Sequence, residues 1–167
     1  MLIHGVIILD DVIYATSGVN RVSLIWSAIR SSHEGIQMPS TVVDPRPADS
    51  AEALTHFRSL LRFETDCWDV HHALTSGSPD FVLLDVRGPD SYGKGHVPGA
   101  INIPHGKMIE SRMTQFAADT VFVTYCAGPH CNGAYRGAIR LAQMGRPVKI
   151  MIGGVTGWLD EGFSLQK

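Results

Sequence analysis

The residue best placed for chemistry is Cys126, in the segment VFVTYCAGPHCNGAYRGAIRLAQMG that spans residues 121–145. The segment opens on Val-Phe-Val-Thr-Tyr, an apolar and β-branched run of strand length, and closes on a helical pattern that puts Ala134, Ala138, Leu141 and Ala142 on one face. Asn132 suits a helix N-cap, Gly145 the C′ position and Pro147 the stop just beyond. A strand therefore hands a cysteine to a helix N-terminus. The unpaired N–H groups of the loop and first helical turn, with the positive end of the helix dipole, favour a thiolate over a thiol. A free cysteine titrates near about 8.5, and such surroundings lower that value. The same amides form an anion cradle, so the expected binding loop is Ala127, Gly128, His130, Cys131, Asn132 and Gly133. Gly128 and Gly133 let the backbone curl, whereas Pro129 offers no N–H to the ring of donors. The competing reading is a buried, inert cysteine at a strand end, a common fate for this residue type.

The other polar groups with chemical potential are weaker. Asp85 ends the apolar run FVLLD, which reads as a buried parallel strand. Open parallel sheets gather ligands at the carboxyl ends of their strands, so Asp85 and Cys126 should emerge on one edge, with Arg87 nearby. Asp85 and Arg87 serve equally well as partners that organise their loop. His96, between two turns, suits a backbone anchor better than a catalytic base. His71 lies four residues from Cys67, the spacing of a helical metal pair. Two ligands do not make a site, so packing and solvent contact account for both and no metal or cofactor is expected.

Composition narrows the classes of partner. With 14 basic and 16 acidic residues the formal net charge of the 167-residue chain is −2, which gives no charge excess suited to nucleic acid or a membrane surface. Three cysteines do not form a disulfide framework. A reducing cytoplasm is the expected compartment.

These residues need a scaffold, and the element pattern supplies one. AEALTHFRSLLRF, behind Asp49 and Ser50, carries Leu54, Phe57, Leu60 and Leu61 at helical spacing and reads as a core-facing helix, with His56 exposed beside it. A second helix is expected from about Asp66 to Leu74, between Thr65 and Gly77. VRGPDSYGKGHVPGA reads as an irregular segment, Ile101–Ile103 as a short strand, HGKMIESRM as one short helix, Val148–Ile152 as the last strand, and VTGWLDEGF as a closing helix anchored by Trp158. Strands and helices alternate, which predicts an α/β fold with a mainly parallel sheet and helices on both faces.

The N-terminal residues fit this pattern least. LIHGVIILDDVIYA is rich in β-branched residues and could be a strand, although Asp10 and Asp11 interrupt it; it is too short and charged to span a bilayer. NRVSLIWSAIRSS fits one amphipathic helix, and PSTVVDPRPADS reads as linker. The expected organisation is an N-terminal extension and Pro-rich linker over residues 1–48, then a domain over residues 49–167 that begins with the helix at 49–63. Residues 1–37 lie outside the core domain in this reading; a native protein beginning at Met38 by intact mass would mark them as a start-site artefact.

LLDVR at 83–87, GHVPGAINIP at 95–104, the Tyr-Cys strand end at 125–126 and GGVTGW at 153–158 occur in the order found in single-domain rhodaneses. Together they resemble a rhodanese homology domain over about residues 64–163. The resemblance implies a rhodanese-like fold in which Cys126 takes a sulfane sulfur from a small sulfur-containing anion or persulfide donor, such as thiosulfate, and forms a persulfide. It passes the sulfur to cyanide or to a thiol acceptor, which can be a protein. Physical chemistry agrees: the thiolate is the nucleophile, and loop amides stabilise the anionic donor and the persulfide.

The loop departs from the family pattern. CAGPHCNGAYRGA is longer before its helix settles than the active loops of rhodaneses or the related phosphatases, and the basic residue often found near the end of such loops is missing. His130, or Arg136 reaching back from the helix, is the available substitute. Cys131 could attack a persulfide or sulfenic acid on Cys126 and close a disulfide, which would make a redox or sulfur-relay protein. It serves equally as a small residue under the loop, since spacing does not set the Cβ separation a disulfide requires; zinc on Cys126, Cys131 and a histidine is a weaker option. A phosphatase or arsenate reductase would use the same kind of loop but ordinarily wants a fixed arginine in it. A non-catalytic anion-binding module would hold ligand without turnover.

Overall fold

The computed structural model describes residues 6–9, 12–15 and 38–167, and the chain divides into two compact units, Met1–Pro47 and Ala48–Lys167. In the first, β1 (Val6–Leu9) and β2 (Val12–Ala15) pair antiparallel with Leu9 opposite Val12. The single strand expected there is thus a pair of strands. The helix expected over NRVSLIWSAIRSS lies outside the described residues.

The second unit is built on a five-stranded, fully parallel sheet in the order β3–β7–β6–β4–β5. Its strands are β3 (Glu64–Thr65), β4 (Phe81–Asp85), β5 (Ile101–Asn102), β6 (Val121–Tyr125) and β7 (Val148–Met151). Helices α1 (Ser50–Phe63), α2 (Cys67–Thr75), α3 (Pro89–Lys94), α4 (Glu110–Met113), α5 (Gly133–Gln143) and α6 (Gly154–Asp160) connect or flank them. Alternating side chains of the central strands feed two cores. Leu84 and Phe122 meet Met113 of α4 and Ala134 and Leu141 of α5 on one face. Leu83, Val123 and Tyr125 meet Val70 of α2 and Trp158 of α6 on the other. This is the α/β arrangement with helices on both faces that the strand and helix alternation predicts.

Four local expectations change. Helix α1 is capped by Asp49, whose carboxylate accepts from the Ala51 and Glu52 amides at 2.9 Å, but it buries no residue: Leu54, Phe57 and Leu61 are 51%, 62% and 73% exposed. Both sheet faces are already covered, and α1 packs mainly against β3 and β7 at the end of the strand order, so among the described residues its apolar stripe meets no layer. Helix α2 begins at Cys67 rather than Asp66, which is its N-cap, the carboxylate taking the Asp69 amide at 2.8 Å. The segment read as irregular contains α3, which starts with Pro89 at its first turn, where a missing N–H costs nothing. HGKMIESRM divides into a 3₁₀ turn at His105–Lys107 and α4, because Met108, 2% exposed, turns into the core between them.

Candidate functional site

Cys126 follows β6 directly, and the sequence places it there for a packing reason: Phe122, Val123, Thr124 and Tyr125 are all buried, so β6 runs through the middle of the sheet. Asp85 on β4 pairs in register with Tyr125, so Asp85 and Cys126 leave neighbouring parallel strands at the same edge. Helix α5 begins at Gly133. Asn132 occupies the N-cap position without a side-chain cap bond, and its carbonyl accepts from the Arg136 amide at 3.1 Å. The far end closes as expected: Gly145 has φ +69°, and Arg146 N–H donates to the Leu141 carbonyl at 2.9 Å. The buried face of α5 is Ala134, Gly137 and Leu141, with Ala138 half-buried; Ala142, expected on that face, is exposed. Gly137 replaces it because the helix lies close to β4 and β6, where an added Cβ would meet Val86 at 3.0 Å and Thr124 at 3.5 Å. The Thr124 hydroxyl, buried, donates to the Ala134 carbonyl at 3.1 Å and ties strand to helix beneath the loop.

The loop is gripped from the opposite side by the start of α6. Val155 N–H donates to the Cys126 carbonyl at 3.1 Å, Thr156 N–H to the Ala127 carbonyl at 2.9 Å, and the Thr156 hydroxyl to that carbonyl at 3.1 Å. Gly154, at φ +59°, lets the two backbones approach: a Cβ there would lie 2.5 Å from the Cys126 carbonyl oxygen and 2.9 Å from the Gly128 nitrogen. With carbonyls 126 and 127 held outward in this way, the loop keeps donors free. Among the described residues, Cys131 is the one member of residues 127–132 whose N–H is taken by a backbone carbonyl, that of Gly128 at 3.0 Å. The amides of Ala127, Gly128, His130 and Asn132 make no hydrogen bond to a backbone carbonyl among the described residues.

Cys126 and Cys131 are joined as a disulfide, with Cα atoms 6.1 Å apart. The two sulfurs lie over Gly133, where a Cβ would come within 2.8 Å of Cys126 Sγ and 3.3 Å of Cys131 Sγ. Cys126 is 7% exposed, and Cys131 is half-buried. His130 and Arg136 are both exposed, and neither donates a side-chain hydrogen bond among the described residues.

Asp85 and Arg87 are committed to each other. The buried Asp85 carboxylate accepts from Arg87 Nε at 2.9 Å and Nη2 at 2.6 Å, and from the Arg87 amide at 3.0 Å; Nη2 also donates to the Gly95 carbonyl at 2.8 Å. Burial pulls the guanidinium pKa down, and the hydrogen bonds and charge of Asp85 more than reverse that, leaving it raised. The guanidinium carbon sits 6.0 Å from the Tyr125 ring centroid. Tyr125 itself is held well above the usual phenol range by burial and then by the Asp85 charge, so its hydroxyl stays neutral and accepts from the Val97 amide at 3.0 Å. His96 stacks on Tyr92 at 3.7 Å, and its backbone exchanges hydrogen bonds with Gln166 at 2.9 and 2.8 Å, which makes it an anchor of the segment Arg87 also holds.

Cys67 and His71 separate into two packing roles. The Cys67 thiol lies under the turn before α6, 3.4 Å from the Ile152 carbonyl and 3.6 Å from that of Gly154, and burial first, then Asp66, pushes its pKa up to about 11. His71 stacks on Phe163 at 3.8 Å. Among the described residues no group of three or more His, Cys, Asp or Glu side chains is placed to hold a metal ion, and no helix is long and apolar enough to cross a membrane. The residues that residue-by-residue chemistry overlooked are Gly154, Val155 and Thr156, since a backbone grip leaves no side-chain signature beyond a Gly-Gly pair and a threonine.

Comparison with known proteins gives a family and similar structures for the domain. The family model for the rhodanese-like domain matches residues 69–161. The HTH-type transcriptional regulator Rv0324 of Mycobacterium tuberculosis is 38% identical over 90 residues, which cover 50% of this chain and 39% of the regulator, so the chain spans about two-fifths of that protein's length. Among solved structures, BH2092 protein from Bacillus halodurans superposes with a TM-score of 0.68 at 36% identity, over 71% of this chain and 86% of that one. Thiosulfate sulfurtransferase from Pseudomonas aeruginosa superposes with a TM-score of 0.53 at 25% identity, over 69% of this chain and 21% of that enzyme.

Proposed function

The chain belongs to the rhodanese-like domain family, and we propose on that footing that it is a sulfurtransferase whose nucleophile is Cys126, working in its reduced form in a reducing compartment. The observation that carries the reading is the position of Cys126: buried at the end of the central strand, at the N-terminus of α5, in a loop whose amides are left free because α6 takes its carbonyls. Reduction of the Cys126–Cys131 bond precedes catalysis, since a sulfur in a disulfide is not a nucleophile. The Cys126 thiolate then attacks the outer sulfur of a donor such as thiosulfate; the sulfur–sulfur bond of the donor breaks, sulfite leaves with the bonding pair, and Cys126 carries the persulfide. An acceptor thiolate or cyanide attacks the terminal sulfur and returns Cys126 to the thiolate. The free amides of Ala127, Gly128, His130 and Asn132 stabilise the anionic donor and the persulfide, and no step requires a metal or a general base once the thiolate is formed.

The loop chemistry also separates this reading from phosphoryl or arsenate transfer. Residues 126–133, CAGPHCNG, contain no arginine or lysine, and the next guanidinium, Arg136, is exposed on α5. A trianion would ordinarily be met by a fixed bidentate arginine. Intact mass of reduced, desalted protein before and after thiosulfate or glutathione persulfide tests the proposal. The wild-type chain should gain the mass of one sulfur atom or close its disulfide with release of sulfide, and Cys126→Ser should do neither; ligand binding without either change would identify a non-catalytic module and defeat it.

A further inference from the structure

A persulfide formed on Cys126 would have a second thiol within bonding reach. Cys131 Sγ is bonded to Cys126 Sγ across a loop in which the Cys131 amide is fixed to the Gly128 carbonyl at 3.0 Å, and the sulfurs converge over Gly133 because that residue has no Cβ to separate them. We propose that Cys131 is a resolving nucleophile that discharges the Cys126 persulfide as sulfide, so that the chain couples sulfane-sulfur uptake to a dithiol reductant; this rests on the sulfurtransferase reading above. In the discharge step the Cys131 sulfur attacks Cys126 Sγ, the bond from Cys126 Sγ to the sulfane sulfur breaks, and HS⁻ leaves carrying that pair and the Cys131 proton. Two cysteine sulfurs are oxidised to the disulfide, and the sulfane sulfur is reduced to sulfide.

The asymmetry of the pair sets the direction of the return step. Cys131 is the more exposed residue of the pair and Cys126 the buried one, at 7%. A thiolate of a dithiol reductant therefore attacks Cys131 Sγ, and Cys126 departs as a thiolate into the free amides of the α5 N-terminus, which favours it as the leaving group. The reductant's second thiol then frees Cys131 and leaves the reductant as a disulfide. In this cycle the dithiol is the two-electron reductant that resets the chain, and the sulfur leaves as free sulfide in place of transfer to a thiol or cyanide acceptor.

The test uses the full chain, reduced and desalted, mixed with thiosulfate or, separately, glutathione persulfide, quenched with iodoacetamide and read by intact mass alongside a sulfide assay. The wild type is expected to release about one equivalent of sulfide per chain and lose two alkylatable thiols, while Cys131→Ala, and Cys131→Ser as a second variant, retain a stable persulfide and release no sulfide above the donor background. Stable persulfide in wild type with Cys131 still alkylated, or equal sulfide release from wild type and both variants, overturns the role of Cys131 and leaves the sulfurtransferase standing. Absence of persulfide from wild type and both variants overturns the sulfurtransferase reading as well.

Discussion

Thr156 donates twice to one atom: its amide at 2.9 Å and its hydroxyl at 3.1 Å both reach the carbonyl oxygen of Ala127, the residue after the nucleophile. The same side chain fills the space beside Gly128, where a Cβ would lie 2.6 Å from the hydroxyl oxygen. Thr156→Val keeps the shape and the amide bond and removes the hydroxyl. A loss of about 0.5–1.5 kcal/mol is expected from denaturant midpoints, with slower persulfide formation at Cys126. An unchanged midpoint and unchanged rate would show that the amide bond alone positions the loop.

Gly154→Ala should be far more damaging than its φ implies. The new Cβ meets the Cys126 carbonyl oxygen at 2.5 Å and the Gly128 nitrogen at 2.9 Å, backbone atoms that cannot swing aside. Gly162, at φ +79° with nothing within 4 Å, supplies the control. Gly162→Ala should cost only the left-handed conformation, about 1–2 kcal/mol, whereas Gly154→Ala should cost more and abolish sulfur uptake. Equal losses of stability and activity in the two would show that the close approach is not what Gly154 is for.

Arg87→Ala removes the cation from a carboxylate with no exposed surface. Its partner, Asp85, is 0% exposed and the Arg87 side chain 11% exposed, so the pair is broken inside the protein. A loss of about 3–5 kcal/mol is expected. The double variant Arg87→Ala/Asp85→Asn should recover part of it. If the double variant is no better than the single one, the Arg87 bond to Gly95, and not the ion pair, carries the stability.

Cys67 gives a pH signature. Its thiol is pushed from 9.0 to about 11 in the folded chain. The folded state therefore holds its proton where the unfolded chain has begun to lose it. The contribution of this group to stability is whole below about 9 and is lost as the pH rises towards about 11. Denaturation midpoints taken near neutral pH and near about pH 10.5 should fall more steeply in wild type than in Cys67→Ala. The same thiol should resist iodoacetamide at neutral pH until the chain unfolds; rapid alkylation of native protein at Cys67 would contradict its burial.

The sequence by itself determined the strands β4, β6 and β7, the helix α5 with its Gly145 stop, and the cysteine between β6 and α5, because each is written in short-range terms: an apolar run of strand length, a helical spacing, a capping residue. It also contained the ordered motifs from which the family could be read. Only the tertiary structure decided which faces were buried. Leu54, Phe57 and Leu61 have the spacing of a core helix, but burial depends on a free face of the sheet, and α2, α6, α4 and α5 occupy both. Ala142 gave way to Gly137 on α5 for a similar reason, the closeness of β4 and β6 to the helix. The grip of Val155 and Thr156 on the carbonyls of Cys126 and Ala127, at a separation of 29 residues, exists only once β6 and β7 lie side by side. The pairing of Cys126 with Cys131 was open in the sequence because five residues of chain permit many sulfur separations. The fold selects one by turning the loop on the Gly128 carbonyl and leaving Gly133 without a Cβ beneath the two sulfurs.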